Sequence, residues 1–561
     1  MLSFMKEIIF SITLMMICSP GQAQSWFWIE FTDKGPGISE RLNHPESILS
    51  PDALIRRATH QIPLTASDLP VYQAYLDALN TVGMRTQLTS RWLNGCLATG
   101  SMSDIPSLGQ FPFVKGSRVL GHLSGGITSG DSEEAVLDYG QASRQINMLN
   151  IPSLHQQGYQ GQGMRIAVID AGFPGVDSLE VFDSLRTRNR IVDTYDFVAD
   201  TTWVYAASSH GTRVLSTISS YSPGKMIGAA PQAEILLYRT EDASREVQKE
   251  EFYWVAAVER ADSIGVDIIH TSLGYNKFQD SPGYVYEDLD GNKAIITTAG
   301  DMAASKGILV VTSAGNEGNK RWKHITAPCD GDSILCVGSV TRWRDRSTFS
   351  SVGPSADGRI KPDVVAMGTA TTTAGPTPRI QLSNGTSFAA PIVAGMTACI
   401  WQANRSASNM QIIDAIKLSS DQAGLPDSEY GYGIPNAQGA DSLLKTGQDL
   451  TSLTIAQATK PPRGRAAIEA AESARNLANS ETIDWNWNGT NIIVALPEAE
   501  TKIRKVTIKR GEQHVTASSD GITRNGNSLI IDTTIWLPGT YEITIEGLDF
   551  RSAINTEIPR P

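Results

Sequence analysis

Short apolar runs alternate with helical segments between residues 134 and 446 of the chain. Continuous apolar strands that are buried on both faces and separated by amphipathic helices are typical of a parallel sheet wrapped by helices. In such a sheet the functional groups collect at the carboxyl ends of the strands. The pattern therefore predicts an α/β domain over 134–446, with strands at RIAVID (165–170), EILLYRT (234–240), VDIIHTS (266–272), GILVVTSAG (307–315) and ILCVGSV (334–340).

The segment REVQKEEFYWVAAVERADSIG, between two of these strands, has the pattern of an amphipathic helix. The apolar Phe252, Val255 and Ala256 form a stripe that lies opposite the charged Glu259 and Arg260. We therefore predict a helix here that packs its apolar side against the sheet.

The sequences on either side of this domain have different patterns. Residues 25–133 mix strand-like runs such as WFWIEF and MRTQLTS with helical runs such as SPDALIRRA and PVYQAYLDALNTVG, which predicts a small α+β domain. Residues 447–481 are polar and rich in Ala, as in a linker with some helix. Residues 482–561 alternate apolar and polar positions between turn residues (TNIIVALP, IRKVTIKR, SLIIDTT, GTYEITIE), which predicts a β-sandwich.

Residues 1–23 have the pattern of a secretory signal peptide. One Lys precedes an apolar run from Ile8 to Cys18 that is too short to span a bilayer, and small residues follow it. No later run is long and apolar enough for a membrane span, so we expect an exported chain with no integral membrane segment after signal removal. Its net charge of -12 argues against nucleic-acid binding, which needs clustered basic residues.

The five cysteines leave one question open. Cys329 and Cys336 flank a short loop, and an oxidising compartment permits a disulfide there, but their spacing alone does not fix the geometry. A zinc site would need further ligands nearby, and none is evident.

Three separated residues have the types and order of a nucleophilic site. Asp170 ends a predicted strand, His210 begins a predicted helix in SSHGTRV, and Ser387 precedes an apolar helix in NGTSFAAP. A serine hydroxyl needs a base to become an effective nucleophile, and that base needs a group that orients it. The chain order Asp, His, Ser is that of subtilisin and differs from the order in α/β-hydrolases.

An acyl-transfer site also needs donors for the oxyanion that develops. Asn316, in VVTSAGNEG, follows a predicted strand, and Ala314 and Gly315 allow backbone to approach closely. We expect its side-chain amide to donate together with the backbone N–H of Ser387, which lies at a helix N-terminus.

These stretches, with TSLG and FSSVGPSADGRIKPDVVA between them, resemble the subtilisin-like serine proteases over most of residues 139–445. The resemblance implies a three-layer α/β fold and makes Asp170, His210 and Ser387 the triad, with Asn316 as oxyanion donor. It also implies that Ser272, Leu273 and Gly274 pair with an extended peptide substrate, and that Ala314 and Gly315 contribute to substrate binding.

Residues 25–133 resemble the inhibitory propeptides of this family, especially those of Bacteroidetes-type bacteria, which implies a zymogen whose own propeptide is an intramolecular inhibitor. A permanent binding domain is the alternative. The C-terminal segment loosely resembles type IX secretion sorting domains, with a plain accessory sandwich as the alternative.

The sequence thus predicts an exported serine endopeptidase that hydrolyses protein or peptide substrates through an acyl-enzyme and needs no cofactor for its chemistry. Calcium is common in relatives, but no Asp-rich loop here has convincing ligand spacing, so no metal ligand is assigned and a structural calcium site stays open. Two alternatives remain: a non-catalytic binding or adhesion protein on the same scaffold, and an esterase with the same triad.

Overall fold

The computed structural model describes residues 25–101, 105–120, 137–447, 450 and 460–470, together with the backbone of strands between 485 and 558. The predicted signal peptide and most of the predicted linker lie outside these residues. So does 121–136, where the boundary between the first two predicted domains falls. The chain divides into two compact units between Pro461 and Pro462.

The N-terminal segment folds into a four-stranded antiparallel sheet with short helices, as its mixed pattern predicts. Helix formation follows the sequence locally: the Ser50 hydroxyl accepts the N–H of Ala53 and Pro51 occupies the first turn, so the second helix begins where its cap dictates. The sheet order is β2-β3-β1-β4. The strands are β1 (Ser25–Phe31), β2 (Arg85–Ser90), β3 (Gly95–Gly100) and β4 (Val114–Leu120), and the helices are α1 (Ile38–Leu42), α2 (Pro51–Thr59), α3 (Gln73–Asn80) and α4 (Ile105–Leu108).

The central domain is built on a seven-stranded, wholly parallel sheet in the order β13-β12-β11-β10-β5-β9-β6. All five predicted strands are present in it. Two short antiparallel hairpins, β7-β8 and β14-β15, stand apart from the sheet. The strands of the domain are β5 (Arg165–Asp170), β6 (Ile191–Asp196), β7 (Tyr221–Ser222), β8 (Met226–Ile227), β9 (Glu234–Arg239), β10 (Ile268–Thr271), β11 (Leu309–Ser313), β12 (Ile334–Val340), β13 (Val364–Met367), β14 (Thr371–Ala374) and β15 (Ile380–Ser383).

Helices cover both faces of this sheet, which confirms the predicted three-layer α/β fold. Alternate side chains of β5 show the division: Ile166 and Val168 join one core, while Ala167 and Ile169 join the other. The helices of the domain are α5 (Ser143–Met148), α6 (Pro152–His155), α7 (Asp183–Thr187), α8 (His210–Ser219), α9 (Lys249–Ile264), α10 (Ile295–Ser305), α11 (Thr386–Ala403), α12 (Asn409–Leu418) and α13 (Ala437–Lys445). Within the described residues, every helix is too short or too polar to cross a membrane.

The N-terminal domain packs on the outer side of α9. Trp28 stacks on Phe252 with ring centroids 4.5 Å apart. Glu259, on the predicted charged side of α9, is buried because the turn after β2 covers it: its carboxylate accepts the Ser90 hydroxyl and the backbone N–H groups of Arg91 and Trp92. The helix is confirmed, but the predicted opposition of an apolar and a charged side is wrong: Phe252 and Glu259 are seven residues apart, lie on the same face and both contact the N-terminal domain.

Cys329 and Cys336 form a disulfide, with their Cα atoms 5.0 Å apart. It ties the loop before β12 to the middle of that strand and answers the question that the spacing left open. Cys96 and Cys399 are buried free thiols.

The second unit, Pro462–Pro561, contains two four-stranded antiparallel sheets, ordered β16-β17-β21-β20 and β19-β18-β22-β23. The four runs predicted as strands coincide with β17, β18, β21 and β22; the packing of the sheets into a sandwich stays a prediction. The strands are β16 (Trp485–Trp487), β17 (Asn491–Ala495), β18 (Ile503–Arg510), β19 (Gln513–Val515), β20 (Ile522–Asn525), β21 (Ser528–Asp532), β22 (Gly539–Gly547) and β23 (Arg551–Ile558).

Candidate active site

The four residues singled out for chemistry come together at the carboxyl edge of the parallel sheet. Asp170 is the last residue of β5, His210 is the first of α8, Asn316 follows β11 and Ser387 is the second residue of α11. A cleft of about 470 Å³ is lined by His210, Asn316, Ser387 and the segment Ser272–Gly274. Asp170 is fully buried behind it.

Gly315 also lines this cleft, as expected of a substrate-contacting position. The side chain of Ala314 is fully buried behind it, so that residue contributes close packing beneath the cleft.

Asp170 and His210 form the predicted pair of carboxylate and imidazole. His210 Nδ1 lies 2.8 Å from Asp170 Oδ1 and 3.0 Å from Oδ2, and the backbone N–H of Ala171 donates to Oδ1 at 2.7 Å. Gly211 makes this approach feasible, because a Cβ there would lie 2.5 Å from the Gly172 carbonyl oxygen and 2.9 Å from the Asp170 Cβ. The carboxylate therefore fixes the ring and leaves Nε2 as the other ring nitrogen for a substrate-side partner.

Two residues around Ser387 determine how α11 begins. Gly385 has φ 149° and ψ 150°, a conformation that is essentially restricted to glycine, and it turns the chain from β15 into the helix. Pro391 lies four residues after Ser387 and has no N–H, so the Ser387 carbonyl has no helical partner. The Ser272 hydroxyl donates to that carbonyl instead, at 2.9 Å. This bond ties the backbone of Ser387 to the segment that lines the cleft.

The Ser387 hydroxyl has a hydrogen-bond partner other than the imidazole. Its Oγ donates to the Ser272 carbonyl oxygen at 3.4 Å, and no hydrogen bond joins it to His210 among the described residues. The structure thus brings Asp170 and His210 into hydrogen-bond contact and places no hydrogen bond between His210 and Ser387. Both side chains line one cleft, and hydrogen bonds of this kind often tighten only when substrate binds.

Two hydrogen bonds from Thr386 orient the side-chain amide of Asn316. Its Oδ1 accepts the Thr386 N–H at 3.0 Å and the Thr386 hydroxyl at 3.2 Å. Because the oxygen is engaged, the Nδ2 group is the part of the amide that remains to donate. The arrangement suits a donor beside the N-terminus of α11, where the helix dipole favours negative charge.

His270 is a residue of the site that the sequence prediction missed. It is fully buried on β10, and its Nε2 lies 2.8 Å from the Ser272 hydroxyl oxygen. Burial, aided by the charge of nearby His210, lowers the pKa of His270 to about 3, so the ring is neutral and serves as a hydrogen-bonding strut. The sequence feature that could have identified His270 is its position two residues before Ser272, because this spacing places both side chains on one face of the strand.

No metal site accompanies this cleft in the part of the chain that the structure describes, where no group of three or more His, Cys, Asp or Glu side chains is arranged to hold an ion.

Comparisons with known proteins match both parts of the first unit. The profile described as "Subtilase family" matches residues 161–433, and that described as "Peptidase S8 propeptide domain, Bacteroidota" matches residues 26–133. Subtilisin NAT from Bacillus subtilis subsp. natto is 31% identical over 299 residues, which cover 53% of this chain and 70% of that protein. Subtilisin from Bacillus pumilus is 31% identical over 299 residues, 53% of this chain and 97% of that protein.

A solved structure, the MycP3 protease from the type VII (ESX-3) secretion system, covers 55% of this chain and 91% of its own, with 20% identity and a TM-score of 0.43. The family profiles and the subtilisin relatives carry the assignment. The chain belongs to the subtilase family and is a subtilisin-like serine endopeptidase with an N-terminal propeptide domain.

Proposed function

We propose that the chain cleaves peptide bonds with Ser387 as nucleophile, His210 as general base and acid, and Asp170 as the group that orients and stabilises the imidazolium. Ser387 Oγ attacks the scissile carbonyl, its proton passes to His210 Nε2, and the same proton is then given to the leaving amine. The resulting acyl-enzyme is hydrolysed by water in the reverse sense. Asn316 Nδ2 and the Ser387 N–H hold the oxyanion.

The observation that carries this proposal is the Asp170–His210 pair, whose imidazole faces the same cleft as Ser387 at a helix N-terminus. Rotation about its Cα–Cβ bond would release the serine hydroxyl from the Ser272 carbonyl. An extended substrate would pair with Ser272, Leu273 and Gly274 as an added strand.

We also propose that residues 25–133 keep the enzyme inactive until they are cut off, and that the chain is exported. The propeptide match and the buried interface on α9 support the first point. The signal-like sequence 1–23 and the Cys329–Cys336 disulfide, typical of an oxidising compartment, support the second. A sorting role for the C-terminal unit stays a prediction.

The test is a Ser387→Ala variant of the full chain. It is expected to lose both peptide cleavage and removal of residues 25–133, observed by mass spectrometry of the purified protein. Ser383→Ala is the matched control, because it removes a buried hydroxyl from the adjoining strand β15, where it bonds Thr373 at 2.8 Å. Unchanged turnover in the Ser387 variant would refute the proposal.

A further inference from the structure

Two carboxylates line the cleft beside the candidate catalytic residues. Glu241 and Glu246 belong to the loop between β9 and α9, and they share the cleft with His210, Ser387 and the Ser272–Gly274 segment. Glu241 is half-buried and Glu246 is exposed. No step of the proposed mechanism uses them.

The loop that carries these carboxylates is held in place. Glu250, buried in the first turn of α9, accepts the backbone N–H of Asp242 at 2.7 Å and that of Val247 at 3.0 Å, so it ties the two sides of the loop together. The backbone N–H of Gln279 donates to the Glu246 carbonyl at 2.8 Å. The carboxylates are therefore presented to the cleft by a braced loop.

These two carboxyl groups have no basic partner in the part of the chain that the structure describes. Among the described residues, neither is ion-paired, and the basic groups that line the cleft have other contacts: Lys320 pairs with Glu317 at 2.7 Å, and Arg213 lies over the Phe388 ring at 5.6 Å. Burial and the charges of neighbouring carboxylates raise the pKa of Glu241 well above its usual range.

We propose that Glu241 and Glu246 form a subsite for a Lys or Arg side chain of the peptide substrate, on the segment that pairs with Ser272–Gly274. This inference rests on the proposed function. A guanidinium or ammonium group supplies a positive charge that favours the ionised carboxylates, together with N–H donors, and Arg can engage two acceptors at once. An acidic side chain at the same position would be repelled by Glu241 and Glu246. An aliphatic side chain would leave the two carboxylates without a cationic partner.

The test compares peptides that differ at a single position before or after the scissile bond, carrying Arg, Lys, Leu or Glu there. The full chain, after its own processing, is expected to favour Arg or Lys over Leu at one position by about tenfold or more in kcat/KM, and by more over Glu. The preference should shrink as salt is raised, since Glu246 is exposed.

Three variants make the comparison specific. Glu241→Gln is expected to reduce the ratio of kcat/KM for the Arg peptide to that for the Leu peptide. Glu246→Lys, at an exposed position, is expected to turn the preference toward Glu, a gain that a misfolded variant could not show. Glu287→Gln, an exposed carboxylate that does not line the cleft, should leave the ratio unchanged.

A wild-type enzyme that cleaves Leu and Arg peptides equally, or a Glu246→Lys variant that keeps the Arg preference, would overturn the subsite while the proposed function stands. Failure to cleave any peptide, with Ser387 unreactive, would overturn the proposed function and the subsite with it.

Discussion

At the scale of single residues, the site depends on atoms whose hydrogen-bond partners are already chosen. Asn316 is the clearest case, because Thr386 engages its Oδ1 through both N–H and hydroxyl and leaves Nδ2 for the oxyanion. We therefore assign Nδ2 of Asn316 as a hydrogen-bond donor. A substitution can remove this donor and still keep the oxygen that accepts from Thr386.

Asn316→Ala is expected to lower kcat by about 10²–10³-fold, the usual cost of losing one oxyanion donor. Asn316→Asp should be impaired to a comparable or greater extent, because it keeps an acceptor for Thr386 but has no N–H to donate. Steady-state kinetics on one peptide measures both. Near-normal kcat in the Asp variant would show that the amide only positions Thr386.

Glu250 gives a prediction about pH. Burial, with the charges of Glu246 and Asp242, raises its pKa from 4.5 to about 8. The folded chain thus holds this proton more tightly than the unfolded chain, so the stabilising contribution is complete below pH 4.5 and is lost as pH rises toward 8. The slope for one proton is at most about 1.4 kcal/mol per pH unit.

Glu250→Gln cannot ionise. It keeps one acceptor oxygen, whereas the two oxygens of Glu250 accept the N–H groups of Asp242 and Val247 separately, so it loses stability by an amount that does not depend on pH. The free energy of unfolding of Glu250→Gln minus that of wild type should therefore increase from pH 5 to pH 8, as measured by urea denaturation. Glu287→Gln, an exposed change, should give a flat difference. A flat difference for Glu250→Gln as well would contradict the assigned pKa.

The residues of the site could be predicted from sequence, whereas the hydrogen bonds between them could not. Asp170, His210, Asn316 and Ser387 stand in recognisable local motifs at strand or helix ends. The bond from Ser272 to the Ser387 carbonyl joins residues 115 positions apart. This bond and the bond from the Ser387 hydroxyl to the Ser272 carbonyl depend on packing and side-chain torsions that a linear pattern does not encode.

At the scale of elements, strands buried on both faces were the most predictable. The two sheet strands that the pattern missed are those at its edges. In β6 most side chains are only partly buried, and its sequence IVDTYD lacks an apolar run; β13 has four residues. Partial burial weakens the apolar signal of β6, whereas β13 is fully buried and its signal is weak because the strand is only four residues long.

The interface between α9 and the N-terminal domain yields a further prediction. Asp262 is fully buried and pairs with Arg56, with Arg57 at 3.0 Å and with Arg91 at 2.6 Å, all from the N-terminal domain. Removing one partner from a buried ion network leaves uncompensated charge, which typically costs about 3–5 kcal/mol.

Asp262→Ala, in a Ser387→Ala background that prevents processing, is expected to weaken docking of residues 25–120 by roughly that amount. Hydrogen exchange of α9 and denaturant unfolding measure it. Asp52→Ala is the matched control, because it breaks an exposed interface pair with Arg165 and should cost at most about 1 kcal/mol. Equal effects of the two changes would mean that the buried network does not hold the domain.

At the scale of the whole molecule, the contact with the N-terminal domain and the candidate active site lie at different places around the sheet. The N-terminal domain packs on the α9 layer, while the residues proposed for catalysis project from the carboxyl edge of the strands. The sequence predicted the α+β domain and the parallel-sheet domain from their periodicities. Which face the first would cover was not predictable, because Glu259 and Arg260 read as a solvated side of α9.

The central claim is that Ser387 is a nucleophile activated by His210, which Asp170 orients. The most direct measurement is the reaction of the processed chain with an organophosphonate serine probe, followed by mass spectrometry to locate the label. We expect one labelled residue, Ser387, and we expect its labelling to be greatly slowed in His210→Ala. A folded chain whose Ser387 stays unlabelled, or labelling that is unaffected by loss of His210, would contradict it.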